Sequence, residues 1–436
     1  MLIGPVGLAR GLAIMPLWLE AAAAPVVAVF IVDRLRRRQA GRIALAGLAL
    51  GAGLALLLQV DGITVGGLLS AAGLSGRAFV PGLVTLGVTA SIGAALAIAD
   101  GLRPSGRAVL VGAAAASMVL LDVSVISRGI DRANALRDLE LYLLAGERFV
   151  DGLQPYQLTP VGATLVDQSL YPYLYSPPLL PLLGFLSALP WPVVATLSIA
   201  TSGAAAVAAL RVIGVRWVWV PIFLLWPPFF EGIWVGNVAI ISALLLCIAF
   251  ARPGAGGLLV LGALFKPQAL VPALWLVRER RWRALVTGFV VAGAIAVATL
   301  PFVGIGAWFD WLQGLRAFQE SVVAMPVLHA FALPAFVPYP AFIALAVVAV
   351  GWALLARGRL GLQRLGVASI VASPTLYGHG LLAMLPALAT LNVEIVLLVL
   401  GSYVSGLGLW FGVGVVVVAL TLTRWPTATE RVPSDR

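Results

Sequence analysis

The sequence predicts an all-α polytopic membrane protein, a bundle of about 11–13 transmembrane helices. Three observations lead there. Hydrophobic residues make up 61% of the chain and charged residues only 11%, against about 25% charged in soluble domains. Apolar runs of about 20 residues, the length a helix needs to cross a bilayer core, recur from one end to the other. These runs, such as 284–302, are apolar on every side, whereas the strands of a membrane barrel alternate apolar with polar.

Arginine sets the orientation. Of the 28 cationic residues, 27 are Arg and one is Lys266. The Arg residues lie in short clusters between apolar runs: Arg34, Arg36, Arg37, Arg38 and Arg42; Arg278, Arg280, Arg281 and Arg283; Arg357, Arg359 and Arg364. That spacing is the positive-inside pattern of short cytoplasmic loops, not the continuous basic patch of a nucleic-acid binder, so the net charge of +10 speaks for a membrane. Putting the clusters inside leaves about 20 cations cytoplasmic and about 7 external. The bias toward Arg, Ala and Gly fits a GC-rich bacterial genome. The lone Cys247 excludes an intramolecular disulfide.

Taken in order, Met1–Val32 is too long for a signal peptide, carries Glu20 and runs into Asp33-Arg34, so it reads as a first, imperfect membrane segment. Segments near 12–32, 43–60, 79–99 and 107–127 then cross in turn and form an N-terminal region, 1–127. Residues 128–177 are the longest polar stretch and are placed outside. A second membrane region, 178–424, contains apolar stretches at 178–210, 217–230 and 237–251. The run 256–277 is broken at Lys266-Pro267, which predicts a hairpin of two short helices. Segments at 284–302 and 331–356 flank a second external loop, 303–330, and a further break falls at Ser373-Pro374. Residues 425–436 are a cytoplasmic tail.

The candidate chemistry collects outside. Channels and transporters place polar groups near the midplane of the membrane. Here ten of the 18 carboxylates, with His329 and His379 on or near the same face, fall external. The segment Arg137-Asp138-Leu139-Glu140-Leu141-Tyr142 heads a helix expected to run to Val150. At about 100° per residue, Glu140, Glu147 and Asp151 share one face and Asp138 lies nearly opposite, with Tyr142, Ala145 and Phe149. A carboxylate among apolar neighbours is paired, capped or functional, because burying it otherwise is costly. A local pair with Arg137 or a helix cap is one reading, and catalysis the other. The aromatic and proline-rich runs that follow, Gln154-Pro155-Tyr156 and Tyr171 to Pro178, suit either an interfacial belt or a platform for sugars.

Together these residues carry a resemblance. Asp138-x-x-x-Tyr142, Gly152-x-x-Pro155-Tyr156 and Tyr175-Ser176-Pro177-Pro178-Leu179 resemble the first external loop of glycosyltransferase family 87. Gly236-Asn237 stands where that family usually has Gly-Gln. Phe265-Lys266-Pro267 followed by Arg280-Arg281-Trp282-Arg283 is similar to its Lys-Pro hairpin and basic loop, and Ser373-Pro374-x-x-Tyr377-x-His379 to its Ser-Pro-x-x-Trp-x-His segment. The sequence departs from the pattern at Tyr377, at Gly380 and in having about four segments before the loop rather than one.

The resemblance implies a GT-C-type bundle and a hexosyltransferase of the plasma membrane. It would move mannose from a polyprenyl-phosphate carrier to a lipid-linked or cell-envelope glycan, on the extracytoplasmic side and with inversion. It implies Asp138 as general base and His379 at the leaving phosphate. Tyr142, Tyr156, Tyr175, Asn237 and Lys266 become candidates for substrate binding. For His379 the plainer reading is a satisfied interfacial histidine, and for Lys266 a lysine snorkelling to one surface. No tightly bound metal or cofactor is expected, since no His/Cys/carboxylate spacing forms a site and Asp138 and Glu140 lie on opposite faces. A loosely held divalent cation stays open, as do a transporter or lipid-sugar flippase and a noncatalytic scaffold.

Overall fold

The computed structural model describes residues 135–156, 159–160, 170–171, 173–324, 331–335, 337–391, 395–396, 399–400 and 406–422. The four N-terminal segments, His329 and the tail expected at 425–436 lie outside the described residues. The chain divides into two units, residues 1–123 with 391–436, and residues 124–390. Every residue discussed as a site belongs to the second.

The regular structure among that unit's described residues is helical, apart from a two-residue antiparallel pair of β1 (Thr159–Pro160) with β2 (Leu170–Tyr171). Helix α1 (Arg137–Val150) ends where the sequence predicts. It buries Leu139, Tyr142, Leu143 and Ala145 and leaves Glu147 exposed, as the helical period requires. Helices α2 (Leu180–Ser187) and α3 (Trp191–Val212) divide the stretch 178–210 at Pro190. The stretch 217–230 also divides, into α4 (Val220–Leu225) and α5 (Pro227–Trp234). The residue before a proline is driven out of the helical region, and Trp226 is extended at φ −60°, ψ 125°. Prolines stand in the first turn of α2, α3, α4 and α5, where the missing N–H costs nothing.

Helix α6 (Ala239–Ala251) leads to the Lys-Pro hairpin, whose arms are α7 (Leu258–Phe265) and α8 (Leu270–Arg278). Helix α9 (Trp282–Val303) follows. The loop expected at 303–330 instead holds a 19-residue helix, α10 (Gly306–Ala324). Trp308, Trp311, Leu315 and Phe318 recur there at helical spacing, a pattern masked in the sequence by the polar residues between them. Helices α11 (Tyr339–Leu354) and α12 (Gly358–Val371) come next, then the break at Ser373-Pro374, a 3-10 segment Gly378–Met384 and the short α13 (Leu385–Leu388). In the other unit α14 spans Gly406–Leu422.

Among the described helices, α3 and α9 are long and apolar enough to cross a membrane, with mean hydropathies of 1.9 and 2.1. The core of the 124–390 unit lies where α6, α7, α8 and α12 meet, around Trp275, Leu276, Leu362 and Leu365. A second cluster packs α1 against α2 and the tyrosines Tyr142, Tyr156 and Tyr173.

Candidate active site

Four chain segments converge on one cavity of about 510 Å³. The first is the start of α1. Leu136 N–H donates to the carbonyl of Trp234, and Asp138 and Leu139 N–H to that of Val235. The end of α5 thus satisfies donors that open every helix. The turn that follows α5 requires Gly236: its φ is +73°, and a Cβ there would stand 2.9 Å from the Cβ of Leu139. Asn237 comes next, two residues before α6, its Oδ1 accepting from Ala239 N–H at 2.8 Å. That leaves Nδ2 to donate to Asp138 Oδ2 at 2.5 Å. The other oxygen, Oδ1, accepts from Arg137 Nε at 3.3 Å. The pair with Arg137 foreseen for Asp138 is present, and Asn237 is a second partner from 99 residues away.

The Tyr-Ser-Pro-Pro loop is the second segment. Ser176 Oγ donates to the Leu264 carbonyl at 2.7 Å, and Trp311 Nε1 to that of Leu174 at 2.9 Å, so the loop is pinned between the end of α7 and α10. This places Tyr175 edge-on to Tyr142, their hydroxyls 2.7 Å apart. The Tyr175 hydroxyl also engages Asn237, and that of Tyr142 the Val238 backbone. Burial first, then neighbouring charge including Asp138, pushes both phenols above the usual range, so both stay neutral.

Lys266 supplies the third wall. The proline after it holds Lys266 extended at φ −140°, ψ 120°, which ends α7 and turns the lysine out of helical register. Its ammonium interacts with the charges of Asp138 and Glu231. The fourth wall is His379, 3% exposed, stacked on Tyr377 with ring centres 5.9 Å apart. Burial, and then Lys266, lower its pKa, against the opposing pull of Glu231 and Asp138.

Asp138, Tyr142, Tyr175, Asn237, Lys266 and His379, six of the seven site residues drawn from the sequence, line this cavity. Tyr156 is set apart. It is 4% exposed and packs on Tyr173, with its Cβ 3.1 Å from where a Cβ on Gly314 would stand. The sequence reading did not single out Arg137, Gln268 and Gln319 as cavity residues. Arg137 could have been found from its place beside Asp138, whereas the glutamines carry no local signal. Among the described residues no group of three or more His, Cys, Asp or Glu stands close enough to hold a metal ion. Chemically, the cavity joins a carboxylate that can take a proton to a cation and an imidazole that can meet an anion.

Residues 173–374 match the family model described as glycosyltransferase family 87. No curated protein and no solved structure matches the chain. The family implies a membrane glycosyltransferase. The matched stretch contains Tyr175, Asn237 and Lys266, and the structure adds Asp138 and Tyr142 before it and His379 after it to the same cavity wall.

Proposed function

We propose that this protein is a polytopic plasma-membrane hexosyltransferase that moves a sugar, mannose by preference, from a polyprenyl phosphate to a lipid-linked or cell-envelope glycan on the extracytoplasmic side. The observation that carries this reading is the convergence of Asp138, Lys266 and His379 on one cavity within and around the family-like stretch. The apolar wall of that cavity, from Leu245, Leu258, Leu259 and Leu382, suits the isoprenoid end of such a donor. Exposed apolar side chains along α9, such as Phe289, Val290, Val297 and Phe302, suit contact with lipid.

In the step, Asp138 takes the proton of an acceptor hydroxyl as that oxygen attacks the anomeric carbon. The bond from that carbon to the phosphate oxygen breaks, and its electron pair leaves with the phosphate. The phosphodiester monoanion becomes a monoester dianion, and Lys266 and His379 face the added charge. Attack opposite the leaving group inverts the anomeric centre. Tyr142 and Tyr175 offer neutral hydroxyls beside the base. A loosely held divalent cation would find few ligands here beyond Asp138.

The test is sugar transfer by purified protein in detergent, with polyprenyl-phosphate mannose and an envelope glycolipid extract. Wild type should give donor-dependent product, and Asp138→Asn should lose at least about 100-fold in turnover, the scale of a general base, while still binding the donor. Equal product from both proteins would remove Asp138 as base. No product with any polyprenyl-phosphate hexose would favour a transporter.

A further inference from the structure

Behind His379, away from the cavity wall, stands Glu231 of α5. Its Oε1 is 3.7 Å from His379 Nδ1, and no hydrogen bond reaches that buried nitrogen. Three contacts fix the imidazole: the Tyr377 ring stacked at 13°, the bare Cα of Gly232, where a Cβ would stand 3.3 Å from His379 Cβ, and the Glu231 carboxylate. His379 lines the cavity and Glu231 does not. With one ring nitrogen turned to the carboxylate, the opposite nitrogen is the one left for a ligand. A carboxylate behind a working histidine fixes its tautomer and ring orientation and supports its cationic form. Catalytic contacts are often long before substrate binds and tighten in the complex.

We infer that Glu231 is a positioning residue for His379, holding the imidazole with its far nitrogen toward the leaving phosphate and supporting the positive charge it carries as that phosphate departs. This rests on the reading of the cavity as a transferase site. Glu231 touches no reacting atom and acts through the ring. The charged groups around the imidazole are Glu231 from α5, Lys266 from the hairpin break and Asp138 from the start of α1. Glu231 and Asp138 favour the imidazolium, and Lys266 opposes it. Neutralising Glu231 therefore makes His379 harder to protonate.

The experiment has two arms, so that failure of the inference and failure of the transferase reading are told apart. The first needs no activity: the pH midpoint of hydrogen–deuterium exchange at the imidazole C2 position, read by mass spectrometry. A free histidine peptide in the same buffer serves as reference. In Glu231→Gln the His379 midpoint should fall by about one pH unit, the size of a close opposite charge, while the reference peptide stays put. The second arm measures transfer. Glu231→Gln should lower kcat about 10-fold or more with little change in donor KM, as loss of an orienting partner does, and should move the alkaline limb of the kcat profile to lower pH. Glu231→Asp should recover part of the rate. On a His379→Ala background, Glu231→Gln should cost nothing further, because the two act as one unit. An unmoved midpoint, or a full loss still seen in that background, would overturn the inference. A moved midpoint in a protein with no transfer activity would keep the Glu231–His379 pair and reject the transferase reading.

Discussion

The hydroxyls of Tyr142 and Tyr175 sit inside a chain of polar contacts that runs from Asp138 through Asn237 to both tyrosines. Such networks are worth more than their separate members when buried. Tyr142→Phe or Tyr175→Phe should each cost about 1 kcal/mol, read as a lower melting temperature in detergent. The double variant should lose less than the two losses summed, with a coupling of about 0.5 kcal/mol or more; simple additivity would show the hydroxyls to be independent. At this scale the sequence made Asp138, Lys266 and His379 legible by residue type and by resemblance. It did not make legible that Asn237 aims its amide at Asp138, because that contact depends on how the α5–α6 turn meets α1. Nor did it place Glu231 behind His379, a pairing made by α5 packing on the 3-10 segment Gly378–Met384. Tyr156 carried the same aromatic signal as Tyr175, yet only the pinned loop decides which of them faces the cavity.

Turns, more than helix interiors, place the working groups. Pro267 ends α7 and extends Lys266, Pro177 and Pro178 start a 3-10 turn just past Tyr175 and Ser176, and Gly236 reverses the chain so that Asn237 reaches Asp138. Gly236→Ala puts a side chain on a left-handed backbone and against Leu139, which should cost about 1–3 kcal/mol and lower the melting temperature. Because Val235 and Asn237 hold the start of α1, the same change should also lower turnover per folded molecule. A stable Gly236→Ala protein with full turnover would show that the turn does not position Asp138. Prolines are the element signals that a sequence states openly, and so the hairpin and both breaks were readable. The helix at 306–324 was not, because its polar residues mimic a loop until Trp308, Trp311, Leu315 and Phe318 are seen as one stripe.

Over the whole 124–390 unit, basic turns and the candidate site are separated along the chain by helices. The turn between α8 and α9 carries Arg278, Arg280, Arg281 and Arg283, and that between α11 and α12 carries Arg357 and Arg359. These turns are tied together: Trp275 Nε1 donates to the Gly358 carbonyl at 2.8 Å, Gly358 N–H to Glu279 at 2.9 Å, and Arg278 Nε to the Leu354 carbonyl at 2.7 Å. Glu279 accepts from that backbone donor, and Arg280, Arg283, Arg357 and Arg359 are exposed, so the two turns together carry several cations against one carboxylate. Moving such a group of cations across a bilayer is costly, which on the proposed reading keeps them in the cytoplasm. Helix α9 starts at Trp282, directly beyond the turn, and runs 22 residues, about 33 Å at 1.5 Å per residue, enough to cross. On the extracytoplasmic reading proposed above, the end of α1, with exposed Asp151 beside it, faces outward along with the cavity that α1 opens. Cys247, the lone cysteine, is fully buried and gives a quiet background for labelling once replaced by Ser. In that background Asp151→Cys should react with a membrane-impermeant maleimide on intact cells or right-side-out vesicles, and Arg280→Cys only after permeabilisation. Labelling in the opposite sense would turn the site toward the cytoplasm and remove the extracytoplasmic placement of the reaction; labelling of both on intact cells would mean that the Arg turns do not set the orientation at all.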